Sequence, residues 1–397
     1  MKILVVTNLY PPHHVGGYEL GCRDVVEKLR ARGHTLHVLT SSFRRRRIQN
    51  PADEPAVERV LQFCATRADP PPNKRVEVAK LSAAIRRLAP DIVYFWNQGG
   101  LCHWLPFAAR WQRRPIAFFL SDTNFISWRI AAWLAGAAQN HPLVRAIFGK
   151  TFLVRGRSVL QNQTCHFASE FLRDVAAKNG IFLAGKNPVI AHWGIEPSQF
   201  TAAPRKRWPV RRLLYVGQMI PQKGVHTAIA TFALLAKEPG FEDLTLSLAG
   251  GGMHPDYEEK LRALPAQLGV AGRVRFLGQV SRTELPDIYA AHDVLIFPSE
   301  WDEPFAITPL EAMTSGLAVV GTTTGGSGEL FRNRETAMTF AAGDAGDCAR
   351  ALRALCGDRN LFATISHNGQ SVVRAKHTLD AMVDRIEGSL KKLVAEN

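Results

Sequence analysis

Short apolar runs, each followed by a loop and an amphipathic helix, recur through this sequence from its first residues. Lys2 to Thr7 carries Ile3, Leu4, Val5 and Val6 in an unbroken row, as in a strand covered on both faces of a parallel sheet. The loop from Asn8 to Gly17 follows. A helix then runs to about Arg32; its Tyr18, Cys22, Val25, Val26 and Leu29 keep one face, and Gly33 stops it. Leu36 to Leu39 is the next strand. Further strands are expected at Pro90 to Trp96, at Pro115 to Leu120, ending at Ser121-Asp122, at Thr164 to Ala168 and at Val189 to His192. The pattern restarts at Arg212 to Val216, with a Gly217 to Gly224 loop and a helix to about Lys237. Strands at Leu244 to Leu248, Val274 to Leu277 and Val294 to Phe297 continue it. Helices over roughly 345–356, 360–375 and 378–395 finish the chain. The polar, basic, Pro-containing segment from Ala202 to Pro209 reads as a linker. Strand and helix alternating in two blocks give an α/β chain of two Rossmann-like domains, over 1–200 and 210–377.

The totals agree with two domains: 397 residues are long for one core. Apolar residues at 46% and charged ones at 21% describe an ordinary globular protein. The first apolar run flows directly into structured sequence, so it reads as a strand and not a signal peptide. No apolar run approaches the ~20 residues that span a bilayer, and a cytoplasmic location is expected. The six cysteines form no Cys-x-x-Cys pair, and reduced thiols near cores are the simpler reading than a metal site.

Charge is uneven. Residues 1–195 hold 27 Lys/Arg against 12 Asp/Glu, a net +15, while residues 196–397 hold 22 against 23. Such asymmetry suggests that the first half meets something anionic: membrane, nucleic acid or a phosphorylated acceptor. Arg44 to Arg47 is its densest cluster. Residues Ile126 to Gln163 mix Trp128 and Trp133 with several cations, as a membrane-surface helix does, although core helices look similar.

The densest chemistry lies in Pro298 to Glu329, where Glu303 and Glu311 stand eight positions apart around a helix start at Phe305 to Pro309. Carboxylates grip hydroxyls, and a helix N-terminus attracts phosphate. Thr308-Pro309-Leu310-Glu311 also reads as a capping box, in which Glu311 only caps a helix. The whole stretch resembles the signature of family-4 retaining glycosyltransferases: Glu303-Pro304-Phe305, then Leu310-Glu311-Ala312-Met313, then Val319-Val320, Gly325-Gly326 and Glu329. It departs at Ala306 and Ala318, where that family usually has Gly and Pro.

The resemblance implies the GT-B architecture, two Rossmann-like domains facing each other across a cleft, with the last helix, about 378–397, packing back on the first domain. It implies transfer of a sugar from a nucleotide diphosphate donor to an acceptor hydroxyl with retention. Donor-binding positions then fall on Gly16, Gly17, Gly217, Gln218, Lys223, Val280, Glu303, Phe305, Ala306, Ile307 and Glu311. Glu303 would hold donor-sugar hydroxyls, Glu311 the ribose, and backbone near Val280 the base. The family carries Arg and Lys at the positions of Gln218 and Lys223; only the Lys is kept, and it is expected to stand exposed in the cleft. Asp122 is the third catalytic candidate, beside Ser121 where the family often has His. No metal ligands of the Asp-x-Asp kind are evident. No cofactor is expected beyond the nucleotide sugar, with Lys223 and helix ends stabilising the leaving diphosphate. The implied acceptor is a glycan or lipid-linked hydroxyl in cell-surface glycan synthesis. Peripheral contact with anionic membrane at the inner face stands against a soluble acceptor and a charge that serves only solubility. A GT-B epimerase or phosphorylase would share the fold, but the pattern from Glu303 to Glu329 argues against it. A basic nucleic-acid-binding protein would explain the charged half, yet no recognised nucleic-acid motif is present.

Overall fold

The computed structural model describes residues 1–43, 54, 56–64, 69–123, 163–179, 188–200, 208–252 and 254–397. The Arg44 to Arg47 run, nearly all of the segment from Ile126 to Gln163, and the linker up to Arg207 lie outside them. The chain forms two compact units, Met1–His192 with Met382–Asn397, and Trp193–Ala381.

The first unit holds a seven-stranded sheet: β1 (Lys2–Val6), β2 (Thr35–Ser41), β3 (Val57–Leu61), β4 (Ile92–Phe95), β5 (Ile116–Leu120), β6 (Thr164–Phe167) and β7 (Val189–Ile190). Their order is β3-β2-β1-β4-β5-β6-β7, and every recorded pairing is parallel. β1 lies between β2 and β4 and is buried on both faces from Ile3 to Val6. A strand there can place no polar side chain in water, which is why four apolar residues stand in a row. Helices α1 (Gly17–Ala31), α2 (Lys74–Leu88), α3 (Leu105–Trp111) and α4 (Glu170–Lys178) belong to this unit. β3 sits at the sheet edge within Pro-rich sequence. Its burial is partial up to Leu61, so Glu58 and Arg59 are tolerated there and the apolar pattern that marks the inner strands is weak.

The second unit repeats the plan with β8 (Arg212–Val216), β9 (Thr245–Ala249), β10 (Val274–Gly278), β11 (Val294–Phe297), β12 (Ala318–Gly321) and β13 (Met338–Thr339). Their order is β10-β9-β8-β11-β12-β13, again parallel. Its helices are α5 (Val225–Leu235), α6 (Pro255–Gln267), α7 (Leu285–Ala291), α8 (Ile307–Thr314), α9 (Ala345–Gly357) and α10 (Arg359–Lys376). Phe232, Leu246, Leu248, Ile296, Val320 and Leu352 fill its core. In both sheets the strand order reverses beside the first strand of the unit, β1 or β8. Open α/β sheets of this kind bind ligands outside the carboxyl ends of their strands at that point.

The last helix, α11 (Leu379–Ala395), belongs to the first unit from Met382 onward. Met382, Val383, Ile386 and Leu390 are its buried face, at helical spacing. On its flank the Glu387 carboxylate takes Lys391 at 2.5 Å, Arg32 at 2.8 Å and His34 at 2.9 Å. No helix among the described residues is long and apolar enough to cross a membrane.

Hydrogen bonds from Lys391, Arg32 and His34 hold the Glu387 carboxyl down to about 2, against roughly 4.3 in an unfolded chain. A depressed carboxylate stabilises the fold above its unfolded value, and that contribution is lost as pH falls toward its folded value. Glu387→Gln is therefore expected to lower stability at pH 7 by about 1 kcal/mol, after discount for the solvent exposure of its partners. The gap between variant and wild type should narrow as urea titrations move below pH ~4. A gap that stays constant to acid would remove the ion cluster as its cause.

Candidate functional site

The site is built where β11 leaves its sheet. Val294 to Phe297 are buried, and the chain emerges through Pro298 and Ser299 to Glu303. This carboxylate is 4% exposed. Two donors hold the same oxygen: Lys223 Nζ at 2.6 Å and Ser299 Oγ at 2.6 Å. Behind it, Gly326 N–H donates to the Glu303 carbonyl at 2.6 Å. A Cβ on Gly325 would lie 2.4 Å from that carbonyl, and Gly325 has φ +56°. Only glycine fits the backbone so tightly against the carboxylate's own peptide. Thr322 Oγ1 donates to the Ser299 carbonyl at 2.7 Å and ties the end of β12 to the same loop.

Lys223 closes a short 3-10 turn, Pro221–Lys223, and Gly224 in the left-handed region then opens α5. Its ammonium also lies 5.5 Å from the centre of the Trp301 ring. The expectation of an exposed lysine needs correction. The Lys223 side chain is 23% exposed and already paired, because the Glu303 carboxylate needs a counter-charge where water reaches it poorly. Beside the pair, Glu300 accepts from Thr227 Oγ1 at 2.7 Å and lies 3.2 Å from His226 Nε2.

Helix α8 begins at Ile307, with Ala306 in extended conformation at its N-cap and no side chain capping it. Thr308 and Glu311 therefore do not form the capping box that their spacing suggested; Thr308 is already inside the helix. Glu311 is buried and accepts from Tyr289 Oη of α7 at 2.8 Å. Burial, and then the Glu311 charge, push the Tyr289 hydroxyl well above its usual range, so the phenol stays protonated and donates. Phe305 turns inward to stack on His377, with centroids 5.5 Å apart.

Gly217 and Gln218 follow β8, and Tyr215 Oη donates to the Gln218 carbonyl at 2.8 Å. Val280 lies half-buried, two residues beyond β10. In the first unit, Gly16 caps α1, its N–H donating to Glu19 Oε2 at 3.0 Å. Gly17 opens that helix and is exposed. Asp122 lies just past β5, where its charge helps to raise the Tyr18 hydroxyl after burial has done most. The structure thus brings Lys223, Glu303 and the Gly325-Gly326 turn together, and sets Gly16, Gly17 and Asp122 at carboxyl ends of the other sheet. Sequence reasoning missed Ser299 and Tyr289, which lie at no diagnostic spacing from the glutamates they hold. Among the described residues no group of three His, Cys, Asp or Glu side chains could hold a metal ion.

Lys223→Ala leaves Glu303 buried with Ser299 as its recorded donor. A loss of roughly 2 kcal/mol of stability is expected, below the range for fully buried pairs. Lys223→Met with Glu303→Gln should recover most of it, since no charge is then stranded. Thermal melting of the single and double variants measures this; a Lys223→Ala protein that melts with the wild type would show that the pair does not form in solution.

Comparison with known proteins gives this arrangement a lineage. The model of glycosyl transferases group 1 matches residues 202–372, and that of glycosyltransferase family 4 matches residues 15–149. The glycogen synthase of Mycobacterium tuberculosis is 28% identical over 386 residues, spanning 90% of this chain and 86% of that protein. The GDP-mannose-dependent alpha-(1-6)-phosphatidylinositol monomannoside mannosyltransferase of the same organism is 24% identical over 98% of both. Among solved structures, Anabaena Alr3699/HepE in complex with UDP superposes with a TM-score of 0.72 at 19% identity, covering 99% of this chain and 100% of that one. That likeness shows the fold. Two family models that together take in most of both units, on a shared two-sheet architecture, show that the chain belongs to the family-4 glycosyltransferases of GT-B fold.

Proposed function

We propose that this glycosyltransferase uses a nucleoside diphosphate sugar, retains the anomeric configuration and needs no metal ion. The observation that carries the reading is the buried Glu303 carboxylate held between Lys223 and Ser299, four residues ahead of the uncapped start of α8. A diphosphate competes with Glu303 for the Lys223 ammonium, and the N–H groups at the start of α8 add to its attraction. As Nζ turns to phosphate, Glu303 is released to accept hydroxyls of the donor sugar. Glu311, oriented by Tyr289, holds the ribose. Gly16, Gly17, Gly217, Gln218, Val280, Ala306 and Ile307 let backbone approach the donor, with Phe305 as packing support. The bond from the anomeric carbon to the diphosphate oxygen breaks, and the acceptor oxygen bonds that carbon on the same face. The acceptor's proton passes to the leaving phosphate, whose growing charge Lys223 stabilises. Asp122 is a candidate for orienting the acceptor.

The Anabaena protein has also been solved with UDP-glucose, which supports a nucleotide-sugar donor here. The name of the mycobacterial mannosyltransferase contains a phosphatidylinositol glycolipid, which supports a lipid-linked acceptor and a role in cell-surface glycan synthesis at an anionic membrane face.

Melting curves with a panel of nucleoside diphosphates and their sugars test the donor. One base should raise the melting temperature, since a ligand that binds only the folded state stabilises it. Acceptor-dependent release of that diphosphate should persist in EDTA, with the product anomer matching the donor by NMR. No stabilisation by any nucleotide would remove the donor site, and activity lost to EDTA and restored by manganese would overturn metal independence.

The two glutamates should separate. Glu303→Gln is expected to depress turnover more than diphosphate affinity, and Glu311→Gln to weaken the bare diphosphate by the ~1.5–3 kcal/mol of a charged hydrogen bond. Calorimetry decides: unchanged diphosphate affinity in Glu311→Gln would confine that residue to holding Tyr289.

A further inference from the structure

Helices α2 and α3 carry a surface that holds none of the residues assigned above to the donor or the acceptor. Trp111, at 61%, is the most exposed large apolar side chain among the described residues, and Val76 follows at 47%. Trp104, Phe107 and Trp111 recur at helical spacing and form one cluster, with ring centroids 5.4 to 6.5 Å apart. Lys74 Nζ of α2 sits 3.4 Å above the Trp104 ring and fastens the first turn of α2 to the aromatic row. Around the cluster, Arg75, Arg110 and Arg113 are exposed and Arg114 is half-buried. No carboxylate among the described residues pairs with Lys74 or with any of these four arginines. Elsewhere on α2, Lys80 pairs with Glu77 and Arg87 with Glu58, while Arg86, in the last turn, has no ion-pair partner among the described residues. Glu77, the only acid of α2, is buried and spent on Lys80 and the Gln62 N–H.

A soluble surface gains nothing by leaving a Trp in water among unpaired cations. Trp prefers the depth of lipid headgroups, where its ring is half apolar and its N–H meets water, and Lys and Arg meet the phosphates there. The three rings tilt against one another at 31° to 45°, so they form one wedge and not a row of separate faces on which successive bases could stack. We infer that the α2–α3 surface docks the enzyme on an anionic lipid bilayer, Trp111 entering the headgroup layer while Lys74, Arg75, Arg110, Arg113 and Arg114 face lipid phosphates. The inference deepens the lipid-linked acceptor reading and rests on it for its purpose. Its test therefore measures adsorption alone, without donor, acceptor or turnover.

The full chain is sedimented with phosphatidylcholine vesicles, with and without phosphatidylglycerol, at low and high salt. Binding should need the anionic lipid and weaken with salt. Arg75→Ser with Arg110→Ser should lower the low-salt partition coefficient, each change by about fivefold. Trp111→Ser should lower binding at both salts. A control pair in the second unit, Lys260→Ser with Arg332→Ser, should bind as the wild type does. All these positions are exposed, so melting should be unchanged. Equal binding to neutral and anionic vesicles would overturn the inference. So would Arg75→Ser/Arg110→Ser and Trp111→Ser proteins that bind like the wild type, or a control pair that loses as much as the α2–α3 pair.

Discussion

A carboxylate taken out of water must find a counter-charge, and the second unit is arranged around that requirement at Glu303. The Lys223 ammonium and the Ser299 hydroxyl share one of its oxygens. Around them converge the ends of β11 and β12, the turn before α5 and the tight Gly325-Gly326 backbone. Desolvation makes each charge costly alone and tolerable in company. An ion pair of this kind strands neither charge: the ammonium neutralises the carboxylate, and the Ser299 hydroxyl adds a second donor to the same oxygen.

The parallel sheets decide where such chemistry can gather. With both faces covered by helices, polar groups find room at the strand ends. Glu303 follows β11, Gln218 follows β8, Val280 follows β10 and Asp122 follows β5. Glu311 differs, because it stands inside α8 and reaches its partner through Tyr289 of α7.

Most of this plan was legible because central parallel strands need apolar residues on both faces. Ile3 to Val6 and Val294 to Phe297 announced themselves by composition alone. β3 did not, since an edge strand with partial burial tolerates Glu58 and Arg59. The glutamates could be found from the spacing of their motif, but their environments could not. Whether Lys223 stands free or paired depends on a fold that brings it to a residue eighty positions away. Likewise, the capping-box pattern at Thr308 was locally sound and lost to tertiary context, in which a buried tyrosine hydroxyl claims Glu311. Ser299 and Tyr289 left no local trace because a single hydroxyl donor can come from many positions.

One connection sets the order in which the molecule can be completed during synthesis. The second unit begins at Trp193 and ends at Ala381, and its two ends are stitched together: Ile195 N–H donates to the His377 carbonyl at 3.0 Å, and Leu379 N–H to the Ile195 carbonyl at 2.7 Å. Gly194 permits the stitch, since a Cβ there would lie 2.2 Å from the Thr378 carbonyl oxygen. The second unit is thus an insertion with neighbouring ends, able to close as soon as Leu379 has left the ribosome. The first unit, though made first, keeps an open flank until the residues from Met382 onward arrive, so a chain truncated after Ala381 would carry a finished second unit beside an uncovered first.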